Sequence, residues 1–277
     1  MPTTQAKSGF VNIDKAQIYY EIAGQGTPLV MIHAGVADSR QWNNEFAFFA
    51  RSHRVVRYDM RGFGKSAPVE GEFSHMSDLV ALLDALGLHE PLILMGCSMG
   101  GGLAMDFALT QPSRAKALIM VDSGPSGLEL DVPVSAKFAE VEKAFNAGDL
   151  DLVSELETQI WFDGVGRTPE QVNQPMRKLL FEMNRQALAY EVMQLGKRLP
   201  NTQVPASGRL ADLRIPVLVI VGVHDTAYTL AAADYMAEKI ESARKVTIED
   251  AAHLPNMDHP EKFRQILEIF LQGLASP

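Results

Sequence analysis

Short, nearly continuous apolar runs, each followed by a stretch with helical periodicity, constrain this chain more than any other feature. The runs are PLVMIH (28–33), HRVVRYD (53–59), PLILMG (91–96), AKALIMVD (115–122), IPVLVIVG (215–222) and RKVTIED (244–250). A strand with one wet face alternates apolar and polar residues, so a continuous run predicts a strand covered on both faces. Helical patterns fall between the runs at 40–50, 75–86, 99–111, 230–240 and 260–271. Strand and helix in alternation predict a mostly parallel sheet with helices on both sides. A leading hairpin is predicted over 9–23, from Phe10, Val11 and Ile13 and then Ile18, Tyr19, Tyr20 and Ile22.

The alternation stops near Gly124 and resumes near Ile215. Between them only helical stripes appear: Phe138, Val141 and Phe145, then Leu152, Leu156 and Ile160. Thr168-Pro169-Glu170-Gln171 has the pattern of a capping box with Pro at the first helical position, and Met176, Leu179, Leu180 and Met183 follow on one face. The reading is a core domain of 1–124 and 208–277 with a helical cap inserted at 125–207. Ligands of open α/β sheets bind at the carboxyl ends of the strands, so an insertion there would be a lid. A chain of 277 residues suits one large domain with such an insertion.

Charge and composition exclude several classes. The net charge is −9 with no long basic run, which argues against a nucleic-acid surface. The longest apolar runs are about seven residues, against the roughly 20 that span a bilayer. The opening MPTTQAKSGF lacks the apolar stretch of a signal peptide. One cysteine makes neither an internal disulfide nor a metal cluster. These features predict a cytoplasmic protein with no metal, no cofactor and no membrane span; they leave room for a homo-oligomer.

Gly96-Cys97-Ser98-Met99-Gly100 is a G-x-S-x-G pentapeptide between a predicted strand and a predicted helix. A nucleophile on so sharp a turn is strained, and its neighbours two places away must be small. Gly101 and Gly102 are expected to keep the helix close to the sheet. A dinucleotide loop would need G-x-G-x-x-G, which is absent here. The stretch at 62–66, Gly-Phe-Gly-Lys-Ser, ends like a phosphate loop but has Asp59 where that loop needs glycine. Cys97 is one place off the centre and reads as a small packing residue.

A serine needs a base, and the base needs an orienting group. With this elbow the chain order is serine, acid, histidine. Asp225 follows the run 215–222, and His253 follows the run 244–250, so both fall at the rim that carries Ser98. Asp122, at the end of its own run, is the rival acid; Asp225 suits the ordered triad better. His53, His75, His89 and His259 read as surface residues. One oxyanion donor is expected from Met99 and the other from the loop His33-Ala34-Gly35-Val36, in which His33 reads as a structural brace. Val36, Trp161 and Phe162 are candidate linings of the substrate pocket. A neutral histidine base predicts activity that rises with pH through the ordinary histidine range, about 6.5.

Taken together, His33, Gly35 and Trp42, the segment YDMRGFGKS (58–66), the elbow at 96–102, Asp225 and His253-Leu254-Pro255 resemble the α/β-hydrolase superfamily. Within it the chain resembles carboxylesterases, enol-lactonases and cofactor-free perhydrolases with a helical cap. The resemblance implies an eight-stranded, mostly parallel sheet, with the cap after the sixth strand. It also implies Gly35 and Met99 as oxyanion donors, and Arg61 and Gly62 as braces of the site. Two positions depart from the family pattern: Ala34 stands where glycine is usual, and Cys97 where His, Phe or Gln is usual. A serine nucleophile argues against relatives that use a carboxylate. The expected activity is hydrolysis of small to medium carboxylic esters or lactones by Ser98, Asp225 and His253 through an acyl-enzyme. The same triad also serves carbon–carbon hydrolysis, perhydrolysis and lyase chemistry, and some members of the fold are ligand receptors.

Overall fold

The computed structural model describes residues 6–274. The opening stretch read above for a leader therefore lies partly outside the described residues, as do the outer limits of the core assignment. In chain order the strands are β1 (Lys7–Ile13), β2 (Ala16–Ala23), β3 (Pro28–Ile32), β4 (Arg54–Tyr58), the two-residue β5 (Glu72–Phe73), β6 (Leu92–Cys97), β7 (Ala115–Val121), the equally short β8 (Lys197–Arg198), β9 (Val217–Gly222) and β10 (Ala243–Ile248). Eight form one sheet in the order β1-β2-β4-β3-β6-β7-β9-β10. The β1–β2 and β2–β4 pairs are antiparallel, and every other pair is parallel. The hairpin and the six runs were all legible in the sequence. The small β5–β8 sheet was not, because two residues carry no periodicity.

The helices are α1 (Asn43–Phe49), α2 (His75–Ala85), α3 (Met99–Thr110), α4 (Lys137–Asn146), α5 (Leu150–Thr158), α6 (Gln174–Glu191), α7 (Ala227–Lys239), α8 (Pro255–Asp258) and α9 (Pro260–Gly273). Alternate strand residues pack on opposite faces, as the pleat requires. Val30, Ile32, Leu94, Met120 and Val219 join one core with Leu79, Leu82, Leu103, Phe107 and Met236 of α2, α3 and α7. Leu29, Met31, Ile93, Ile119 and Leu218 join another with Phe46, Phe49, Phe263 and Leu267 of α1 and α9. This two-sided burial is why the strands read as unbroken apolar runs.

Register then places the site. Ile32 pairs with Gly96, Cys97 with Val121, Val121 with Ile220, and Gly222 with Ile248. The strand ends are level, so the residues that follow them share one rim.

The segment between β7, the sixth strand of the main sheet, and β9 is built mainly from α4, α5 and α6. Ala144, Val153, Leu156 and Leu188 form its own small cluster, while Leu180 and Met183 pack into the sheet's second core. One expectation fails here. Leu152 is 45% exposed and Val153 is buried in its place. The Asp149 carboxylate caps α5 by accepting from Leu152 N at 3.0 Å, and this leaves the Leu152 side chain on the outer face. The capping box at Thr168 is formed, but it closes only a single turn, Pro169–Gln171. A helix running on from there would need an N–H at position 175, which is Pro175. The long helix begins instead at Gln174, capped by Asn173, with Pro175 in its first turn. Among the described residues no helix is long and apolar enough to cross a membrane.

Candidate active site

Ser98 sits at the sharp junction of β6 and α3 with φ +51° and ψ −117°. Left-handed backbone is costly for a residue with a Cβ, and such strain persists only where the surroundings enforce it. Here the Ser98 N–H donates to Val121 O at 2.9 Å, and its carbonyl accepts from Ser123 Oγ at 2.8 Å. The flanking glycines are required by space. A Cβ at Gly96 would lie 2.2 Å from Gly100 O, and one at Gly100 would lie 2.4 Å from Ile32 O. Gly101 is equally tight against Ser123, but a Cβ at Gly102 would meet nothing closer than 3.7 Å. Gly102 is therefore not needed for the approach of helix to sheet.

Cys97 is fully buried in the core, and its thiol donates to His253 O at 3.4 Å. Burial, with Asp122 nearby, pushes the thiol well above its ordinary range. A thiol that stays protonated is a poor nucleophile.

His253 is 4% exposed, and its Nδ1 lies 2.6 Å from Asp225 Oδ2. A ring that donates from Nδ1 keeps the Nε2 lone pair free when neutral. Asp225 is 2% exposed and also accepts from Thr226 N at 2.6 Å. Trp161 fixes the imidazole from the other side: the ring centroids are 4.5 Å apart, and His253 N donates to Trp161 O at 3.1 Å. Ser98 and His253 line one cavity of about 460 Å³, whose wall includes Leu130, Val132, Phe138 and Trp161. Among the described residues no hydrogen bond joins the Ser98 hydroxyl to His253, a contact that often tightens only with substrate.

Asp122, the rival acid, lies in the same place. Donor atoms of Asp122, Asp225 and His253 are all within 4.8 Å of one another. Two carboxylates and an imidazole resemble a cation's donor set. Ligands about 2.1 Å from a tetrahedral ion, however, stand roughly 3.4 Å apart. The 2.6 Å contact between imidazole and Asp225 is that of a direct hydrogen bond.

The loop after β3 is braced as expected. His33 Nε2 accepts from Met60 N at 3.0 Å, so Nδ1 carries the proton and donates to Ala34 O at 2.8 Å. Burial pushes the His33 pKa down and keeps the ring neutral. The Ala34 N–H donates to Gln41 Oε1 at 2.9 Å. Gly35 faces Met99: a Cβ there would stand 3.7 Å from the Met99 side chain. Gly35, Val36 and Met99 line a second cavity of about 420 Å³, together with Arg61, His75 and Arg198. Arg61 is held by a bidentate pair with Asp78 at 2.7 and 3.0 Å, both side chains 4% exposed.

Two readings are corrected. Phe162 lines neither cavity; it is 1% exposed and packs in the second core, while its neighbour Trp161 faces the imidazole. Neighbouring residues in a helical turn point to different faces, and sequence alone did not say which. His75 is buried rather than a surface residue. It has no partner for Nδ1, and burial beside Arg198 pushes its pKa down to about 3. Sequence reading also missed Arg167. Its guanidinium donates to Asp163 O, Phe162 O and Asp258 Oδ2, each at 2.7 Å, and to Asp250 O. His224 donates to Val165 O at 2.8 Å beside it. These bonds fasten the segment carrying Trp161 to the loops carrying Asp225 and His253. A lone arginine in a loop has no pattern that announces such a role.

The family comparison agrees with this architecture. The model of the family described as alpha/beta hydrolase fold matches residues 27–260, and the chain belongs to that family of hydrolases. A pimeloyl-[acyl-carrier protein] methyl ester esterase of Aeromonas hydrophila subsp. hydrophila is 30% identical over 250 residues, covering 90% of this chain and 96% of the relative. A 3-oxoadipate enol-lactonase of Acinetobacter baylyi is 28% identical over 239 residues, covering 86% and 85%. Among solved structures, a bromoperoxidase from Bacillus anthracis shares the fold with a TM-score of 0.79 at 24% identity, covering 96% of this chain and all (100%) of that one.

Proposed function

We propose that this protein is a serine hydrolase of small to medium carboxylic esters or lactones, with Ser98, His253 and Asp225 as its triad. The observation that carries the reading is the strained Ser98, on one cavity wall with an imidazole whose Nδ1 is bonded to a buried carboxylate. Ser98 attacks the carbonyl while His253 Nε2 takes its proton. Asp225 holds the tautomer and stabilises the imidazolium that forms. The N–H groups of Gly35 and Met99 receive the oxyanion, a contribution typically worth about 2.7–4 kcal/mol per donor. His253 then protonates the leaving alcohol, and a water activated by the same nitrogen releases the acid. The helical segment 125–207 serves as the cap, with Phe138 and Trp161 forming its side of the first cavity.

The apolar wall of that cavity supports an uncharged acyl or alcohol group as its occupant. The esterase and enol-lactonase relatives support the same reaction class. The test is a series of p-nitrophenyl esters of rising acyl length beside a lactone panel. The wild type should turn over at least one of the two. Ser98→Ala and Asp225→Asn should each lose most of that activity. Full activity in Ser98→Ala would overturn the reading.

A further inference from the structure

Asp122 directly follows β7 with φ +41°, and at 1% exposure it is as buried as the triad acid itself. Its Oδ1 is satisfied, accepting from Gly222 N at 2.8 Å. Its Oδ2 is buried and has no hydrogen-bond partner, and a carboxylate oxygen of Asp122 lies within 4.8 Å of one of Asp225. A buried carboxylate oxygen without a donor is rare, and one aimed at a second carboxylate is repelled if both are ionised. The conflict disappears when one of the two keeps its proton, because the pair then makes an O–H···O⁻ bond. Asp225 is the better placed to stay charged. It faces the imidazole at 2.6 Å and takes the Thr226 N–H, whereas Asp122 has one main-chain donor.

We propose that Asp122 is a positioning residue that keeps its proton in the working enzyme and donates it from Oδ2 to the Asp225 carboxylate, behind the imidazole. This rests on the serine-hydrolase reading above. Burial and the Asp225 charge both push the Asp122 carboxyl well above the usual carboxylate range, in agreement with the geometry. Among the described residues, the charged and titratable groups bearing on the pair are few. They are His253 from the loop after β10 and the Cys97 thiol from the end of β6, which burial keeps neutral. The bond does two things. It fixes the Asp225 carboxylate against the imidazole, and it withdraws charge density from Asp225, so losing the bond leaves a fuller negative charge facing the ring. The strained backbone at residue 122 is the local cost of aiming this side chain at its neighbour.

The test is the pH dependence of Ser98 labelling by a fluorophosphonate in wild type, Asp122→Asn and Asp122→Ala. Asparagine mimics the protonated acid: its carbonyl accepts from Gly222 N, and its amide donates to Asp225. Asp122→Asn should therefore label at the wild-type rate with the acid limb in place. Asp122→Ala loses the donor, so labelling should slow by about 2- to 10-fold. Its acid limb should also move to higher pH. If Asp122→Asn instead moves the limb down by about one pH unit, a negative charge has been removed and Asp122 was ionised; that overturns the proposal. Wild-type limbs in both variants would overturn it too. Should alanine fail to fold, the isosteric asparagine alone decides between the two protonation states. No labelling of Ser98 in the wild type would overturn the serine reading itself, whereas a displaced limb on a labelled Ser98 overturns only the role of Asp122.

Discussion

Gly100→Ala adds one methyl group at the closest approach of the serine turn to the neighbouring strand. The new Cβ would stand 2.4 Å from Ile32 O, 2.5 Å from His33 O and 2.7 Å from Ile32 C. All three are backbone atoms, so no side chain can rotate away. To reach even 3.0 Å, α3 and the end of β3 must part by at least about 0.6 Å. Overpacking of this kind costs about 1–3 kcal/mol. The functional cost comes from the same movement, because His33 is two residues before Gly35 and Gly100 follows Met99. Misplacing catalytic groups by 1 Å costs about 100-fold, so about tenfold or more in kcat/KM is expected here. Gly102→Ala is the internal control. Its Cβ meets nothing within 3.7 Å, so it should leave kcat/KM unchanged and stabilise α3 by roughly 0.5–1 kcal/mol. Urea unfolding and turnover of a p-nitrophenyl ester measure both. A Gly100→Ala enzyme within twofold of wild type, or a Gly102→Ala enzyme equally impaired, would show that this close approach does not position the site.

Glu45 is fully buried, and desolvation lifts its carboxyl from the ordinary 4.5 to about 8. The folded state then holds a proton that the unfolded chain has lost, so stability is full below pH 4.5 and falls as pH rises toward 8, by about 5 kcal/mol at most. Glu45→Gln should flatten that slope in urea unfolding at pH 5 and pH 8; an unchanged slope would locate the titration elsewhere. Arg167→Met leaves the buried Asp258 carboxylate without its cation and should destabilise by about 3–5 kcal/mol. Adding Asp258→Asn should recover part of that loss, and thermal melting decides. Cys97→Ala should keep most of the activity, and a maleimide should not modify Cys97 in the native protein.

The strands were legible because both faces of the sheet are covered. Val30 and Met31 pack on opposite sides, and neither leaves a polar trace. The rim residues were legible because every run ends at the same level, so Ser98, Asp225 and His253 follow their strands in step. What failed was anything set by direction rather than sequence spacing. Trp161 and Phe162 are adjacent, but only one turns toward the imidazole. Asp122 was weighed as a competitor of Asp225, when the structure places the two against each other. The capping box at Thr168 was legible as chemistry, but not that it closes a single turn, with the long helix starting only at Gln174. Arg167 shows the deepest limit, since its partners span residues 162–258 and exist only once the chain has folded.

If Ser98 is the nucleophile and His253 its base, mass-spectrometric mapping of the adduct left by a fluorophosphonate reads both roles at once. One adduct per chain is expected, on the peptide carrying Ser98. It should be absent from Ser98→Ala and much slower to form in a His253→Ala variant that still folds. An adduct on another residue, or labelling that ignores the loss of His253, would contradict the assignment.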